Sequence, residues 1–164
     1  MSIVLNGTGG TITGVPGQVL QVVSVPFATN IVTTSSGLTS TGHSVTITPS
    51  SSTSKIYILN TALVSTSNPS SWGYFSTIYR GATNLATTAG GVGTPAAFAA
   101  IYAGSVSTSS TQTITMQYLD SPATTSATTY TIYIGGGGAT LGYCTQGWYG
   151  STPPAVLTAI EIAA

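Results

Sequence analysis

The segment His43–Val64, HSVTITPSSSTSKIYILNTALV, alternates in character at every second residue on both sides of a hydroxyl-rich centre. On the left, Val45 and Ile47 point one way and Thr46 and Thr48 the other. On the right, Ile56 and Ile58 share one face, with Asn60 next in that series, while Tyr57 and Leu59 take the opposite face. A period of two is the signature of a strand with one buried face. The proline and serines between, TPSSSTS, supply a turn. The segment therefore reads as strand, turn, strand.

The same alternation recurs along the chain. It appears in GQVLQVVSV (Gly17–Val25), WGYFSTIYRG (Trp72–Gly81), TQTITMQYL (Thr111–Leu119), TTYTIYI (Thr128–Ile134) and AVLTAIEIAA (Ala155–Ala164). Only TPAAFAAIY (Thr94–Tyr102) is rich enough in alanine to allow a short helix, and a strand fits it equally well. About seven or eight short strands with turn-rich connections predict an all-β fold, an antiparallel β-sandwich of jelly-roll type. The Gly-rich start, LNGTGGTITGVPG (Leu5–Gly17), cannot build a core by itself. Residues 1–17 are expected to form an N-terminal arm carrying Ile3, Leu5, Ile12 and Val15 as assembly contacts, and residues 18–164 a single sandwich domain.

Composition narrows the function. Of 164 residues, 2% are charged, where about a quarter is usual. The charges are Lys55, Arg80, Asp120 and Glu161, and they sum to zero. Without a basic stripe, phosphate-driven binding to nucleic acid is not expected. Roughly a third of the residues are Ser or Thr, so hydroxyls rather than charges keep the outer faces wet. A chain this poor in charge lacks the usual protection against edge-to-edge association, which points to an oligomer or larger assembly. No signal-peptide pattern opens the sequence, and no run of ~18 apolar residues provides a membrane span. Synthesis in a cytoplasm without membrane insertion is expected. The Asn6 glycosylation pattern, NGT, is read as chance.

Chemistry has few places to sit. Asp120 and Glu161 are the only acids, and a carboxylate pair would have to come from these two. In LDSP, Asp120 precedes Ser-Pro and suits the start of a turn. Glu161 lies within a strand, with Lys55 or Arg80 as its expected partner. His43 stands alone, so His43, Cys144 and two acids match no metal-ligand spacing. A serine triad around His43 and Asp120 lacks a nucleophile elbow. The four glycines Gly135–Gly138 have no following lysine and no helix start, which excludes a phosphate loop. They suit a mobile tip or close packing at a symmetry axis. Lone Cys144 reads as a small, semi-buried residue. No catalytic residue, metal or cofactor is expected. Aromatics near Gly/Ser-rich loops are the better candidates: Trp72, Tyr74, Tyr143, Trp148 and Tyr149 could stack on sugar faces or anchor a protein contact.

Five blocks occur in order: VLQVVS (Val19–Ser24), SVTITPSSSTSKIYI (Ser44–Ile58), FSTIYRGATNL (Phe75–Leu85), MQYLDSPATTSATTYTIYI (Met116–Ile134) and LTAIEIAA (Leu157–Ala164). Together they resemble a family of bacteriophage virion proteins common in phages of aquatic bacteria, where the module often closes a tail-fibre chain. The resemblance implies a β-rich, trimeric, non-enzymatic module on the virion surface, and it transfers no receptor site. It also implies framework roles for Lys55, Arg80 and Asp120 at strand–turn junctions. The expected partners are other copies of the chain, a tail adaptor or capsid shell, and host-surface glycan or protein. Only a short arm precedes the first strand, which also suits a capsid decoration (cement) protein or a short head fibre. An enzyme acting on host polysaccharide is the remote alternative. It requires Asp120 and Glu161 to converge in an aromatic-lined cleft.

Overall fold

The computed structural model describes residues 15–67, 74–87, 96–101, 110–136, 140–144 and 154–164. Among them are no helices. The strands are β1 (Val19–Phe27), β2 (Ile31–Thr33), β3 (Thr39–Ile47), β4 (Lys55–Ser67), β5 (Tyr74–Arg80), β6 (Thr83–Asn84), β7 (Ala99–Ile101), β8 (Ser110–Asp120), β9 (Thr128–Gly136), β10 (Thr140–Tyr143) and β11 (Ala155–Ile162). Every segment read as a strand contains one. The Ala-rich stretch contributes β7, so the strand reading is the one realised over Ala99–Ile101. β2, β6 and β10 add to the expected set, and at two to four residues each they are too short to show a period.

Two antiparallel sheets form a sandwich. In the first, β1, β11, β4, β10 and β2 follow in order, and β8 takes the other edge of β4. β4 is long enough to pair with β11 through Lys55–Thr61 and with β10 through Val64–Ser67, while β8 runs along Ile56–Thr66. The second sheet orders β3, β9, β5 and β6, with β7 also on β5. Alternation sends Val45, Ile47, Ile56, Ile58, Ile132, Ile134 and Leu157 into the space between the sheets, where all are buried. Each such side chain contributes about 1.5–3 kcal/mol relative to its exposed state.

Turns follow their chemistry. Val15–Gln18 closes with Gln18 N–H donating to the Val15 carbonyl, and Gly17 takes φ +83°, a conformation glycine adopts without strain. Gly17 N–H then donates to Ala163, and Ala163 N–H donates back to Gln18. Gly17 and Gln18 are thus sewn to the end of β11.

Candidate functional site

The two acids lie on one inward-facing row. Glu161 of β11 and Asp120 of β8 are the Cα partners of Ile56 on its two sides, so their backbones stand roughly 10 Å apart. Ile56 is fully buried between them. Neither carboxylate opens to a cleft, since Glu161 is 0% and Asp120 5% exposed.

Asp120 ends β8 in the first sheet and reaches across to the second. Arg80 Nη1 donates to both its oxygens at 2.8 Å, and Tyr130 Oη donates to Oδ2 at 2.8 Å. The LDSP context suggested the start of a turn, but no hydrogen-bonded turn follows at Ser121–Thr124, and the carboxylate instead ties two sheets together. Burial, followed by the hydrogen bond to Asp120, pushes the Tyr130 phenol far above its ordinary range.

Glu161 corrects an expectation. Its partner is neither Lys55 nor Arg80. Gln21 Nε2 donates to Oε2 at 2.6 Å, and Ser50 donates to Oε1 from both its backbone N–H and its hydroxyl at 2.7 Å. Burial alone would raise the carboxyl pKa. Hydrogen bonds from Ser50, Gln21 and Ser54 outweigh it and hold the group down to about 2. A carboxylate held ionised this firmly is poorly suited to donating a proton near neutral pH. Lys55 instead donates to Ser121 Oγ at 2.8 Å.

His43 lies inside β3, next to Gly42 at φ +76° where the β3–β9 register shifts. It is buried and bridges the sheets. Nε2 is 3.0 Å from the Val25 carbonyl, which can only accept, so Nε2 carries the proton. Nδ1 then accepts from Tyr143 Oη at 2.6 Å, and that phenol accepts from Asn60 Nδ2 at 3.1 Å. Phe27 stacks on the imidazole at 4.8 Å. Burial lowers the His43 pKa, only partly offset by the Val25 bond, and burial raises that of Tyr143.

This network withdraws Tyr143 from the set of receptor contacts. It ends β10 beside the stacked Phe27 and His43 rings and is fully buried. Tyr74 is also withdrawn, because pairing with both Gly136 and Ile101 puts it inside the second sheet, fully buried. Trp72, Trp148 and Tyr149 lie outside the described residues, as do Ile3, Leu5 and Ile12. Val15 is half-buried in the turn that closes onto β11. Cys144 is more buried than expected and adopts φ +53°, with its thiol donating to the Phe27 carbonyl at 3.2 Å. Burial raises its pKa. Gly135 packs within its own chain: a Cβ there would lie 2.7 Å from the Gly37 carbonyl oxygen. Gly137 and Gly138 lie outside the described residues.

The sequence reading missed two surface features. Tyr79 and Tyr133 stack at 3.9 Å on the outer face of the second sheet, both partly exposed. A larger feature crosses the first sheet. Val22 pairs with Ile160, Ile160 with Tyr57 and Tyr57 with Leu119, which makes one apolar row over β1, β11, β4 and β8. Val22 is 58% and Leu119 51% exposed. The exposed large apolar residues among those described are Val19, Leu20, Val22, Val32, Leu119 and Val156, and all belong to strands of this sheet. A shallow depression of about 180 Å³ near β7 is lined by Leu85, Ala86, Thr87, Ala97, Phe98 and Tyr118, an apolar set with few polar groups.

No family model and no curated protein matches the chain. Among solved structures, a chain in "Structure of infectious bursal disease virus Gx strain" aligns with a TM-score of 0.46 and 15% identity. The match covers 100% of this chain and 42% of that one, so this chain spans less than half of that chain's length.

Proposed function

We propose that this chain is a bacteriophage structural protein displayed on the virion surface, a fibre-type homotrimer that mediates attachment to the host. The observation that carries the proposal is the one-sided distribution of exposed apolar residues over the first sheet. Contiguous apolar surface of this kind marks protein contact. Of the four charges, Arg80 and Asp120 satisfy each other and Glu161 is held internally, so the side chains that could do chemistry support the framework instead. The five sequence blocks add the virion setting. Trp72, Trp148 and Tyr149 are the proposed contacts to host glycan or protein, by stacking that requires neither metal nor cofactor.

A specific observation favours a second reading, a capsid decoration protein or short head fibre. The arm's root is fixed beside edge strand β1 by the reciprocal hydrogen bonds among Gly17, Gln18 and Ala163. Val15–Gln18 thus lies at the β1 edge of the apolar sheet, an arrangement suited to an arm that clamps a shell.

Gold-labelled antibody on intact virions, viewed by electron microscopy, separates the readings. Label at the tail, with slower adsorption by Trp148→Ala and Tyr149→Ala virions, supports the attachment role. Label spread over the head supports decoration, and label on neither overturns both. Release of reducing ends from host polysaccharide by the purified protein would instead revive the enzymatic alternative.

A further inference from the structure

The outer face of the six-stranded sheet has a composition that needs explanation. In β1, β11, β4 and β8 the outward positions carry Val22, Ile160, Tyr57 and Leu119 in one row. The next row in register, Ser24, Thr158, Leu59 and Gln117, is uncharged, as is the row beyond it, Pro26, Val156, Thr61 and Thr115. Tyr57 is not a loose side chain, because its hydroxyl is fixed to Gln117 Oε1. Among the described residues the only charge on this face is Lys55, at its rim beside Ile162 and directed to Ser121. The opposite sheet shows the contrast, with Thr46 and Thr129 joined on its exposed outer surface and no exposed large apolar residue among those described.

We infer that the row Val22–Ile160–Tyr57–Leu119 and its flanking residues form the surface by which copies of this chain pack against one another, turned toward their shared axis. The inference rests on the oligomeric part of the proposed function and names the face that carries it.

Charge selects the occupant. A partner recognised by ion pairs would require charges here, and the face offers one rim lysine. Around a threefold axis each copy meets two neighbours that present the same flat, uncharged surface, so the three approach without Coulomb repulsion except at Lys55. Size agrees. Four strands at ~4.8 Å spacing and eight residues at ~3.3 Å rise cover about 500 Å² in projection. The accessible area of a ridged face exceeds its projection and approaches roughly 800 Å², which each copy of a trimer divides between its two neighbours. Within the row, Val22 and Leu119 are the most exposed, and packing them between copies removes the exposed apolar surface that a free monomer would carry.

The test uses the full chain. Its mass is measured by light scattering at micromolar concentration, for wild type, Val22→Lys, Leu119→Lys and Thr129→Lys. Thr129 is exposed on the outer face of the other sheet and serves as the control. The expected result is a threefold monomer mass for wild type and Thr129→Lys, and monomer mass for Val22→Lys and Leu119→Lys. Circular dichroism spectra should be unchanged throughout, since the substituted side chains lie outside the core. Oligomeric Val22→Lys and Leu119→Lys would overturn this inference while leaving oligomerisation intact. Monomeric wild type would overturn the oligomeric reading itself, and the face would then belong to another virion protein or to residues 2–14 of the same chain.

Discussion

Arg80 and Asp120 join the two sheets at one point: the guanidinium Nη1 at the end of β5 lies 2.8 Å from both carboxylate oxygens at the end of β8. Tyr130, the Cα partner of Arg80 in β9, donates to the same carboxylate. The aspartate is almost completely buried, whereas about a third of the Arg80 side chain is exposed. Removing the carboxylate strands a phenol and a partly buried cation. Removing the arginine strands a buried anion, the costlier loss.

The first prediction follows from that asymmetry. Asp120→Ala should destabilise the fold by about 1–3 kcal/mol, below the full cost of breaking a buried pair because solvent reaches Arg80. Arg80→Met should cost at least as much. A urea-denaturation double-mutant cycle tests both, and additive losses would show that the pair is uncoupled.

Glu161 sets an acid limit. Its carboxyl pKa falls from 4.5 to about 2 in the folded state, so the native protein holds the proton less readily than the unfolded chain. The associated stability is fully present above the unfolded pKa and is lost as pH falls from about 5 toward 2, on the order of 3 kcal/mol in total. Glu161→Gln should be less stable than wild type at pH 7, and the gap should close near pH 2. A gap of constant size across that range would exclude the linkage.

His43 acts in a separate, higher window. Burial favours the neutral ring, which lowers its folded pKa below the ordinary 6.5. The unfolded chain therefore binds more protons, and stability falls as pH drops below about 6.5. Protonation would also turn Nδ1 into a donor facing Tyr143, so the phenol would lose the acceptor for its own proton. Cys144 and Tyr74 are the other titratable groups near Tyr143, and burial keeps both neutral in this range. Chemical denaturation at pH 7.5 and 5.5 should show a loss in wild type that His43→Gln lacks. An equal loss in both proteins would count against His43.

The strands were legible because alternation is a local signal. Val45 and Ile47, and then Ile56, Ile58 and Asn60, declare their faces within a few residues, and all five are buried. Partners were not legible, because sheet order is not local. Gln21 and Glu161 meet across 140 positions of sequence through the pairing of β1 with β11. The outer row was hidden for the same reason: Val22 and Leu119 are ordinary outward residues of their own strands, and only the order β1, β11, β4, β8 aligns them. Tyr74 and Tyr143 misled because each adjoins a Gly- or Ser-rich stretch while itself belonging to a strand.

Gly135 gives the last prediction. It sits in β9 opposite Phe75, and the turn after β2 crosses against it. A Cβ at Gly135 would lie 2.7 Å from the Gly37 oxygen, 3.0 Å from the Gly37 carbonyl carbon and 3.2 Å from the Leu38 nitrogen. All three are backbone atoms, so no side-chain rotation relieves the contact. The turn would have to move, and with it the bond from Gly136 N–H to the Ser35 carbonyl. Gly135→Ala should therefore cost about 1–3 kcal/mol, the usual range for forcing an extra methyl into a packed site. Gly37→Ala is the control, because its Cβ would meet only Ser35 Oγ at 3.7 Å, an ordinary contact. Thermal denaturation should rank the two variants in that order. Equal melting temperatures would mean that the turn yields freely and that the glycine is not required for close packing.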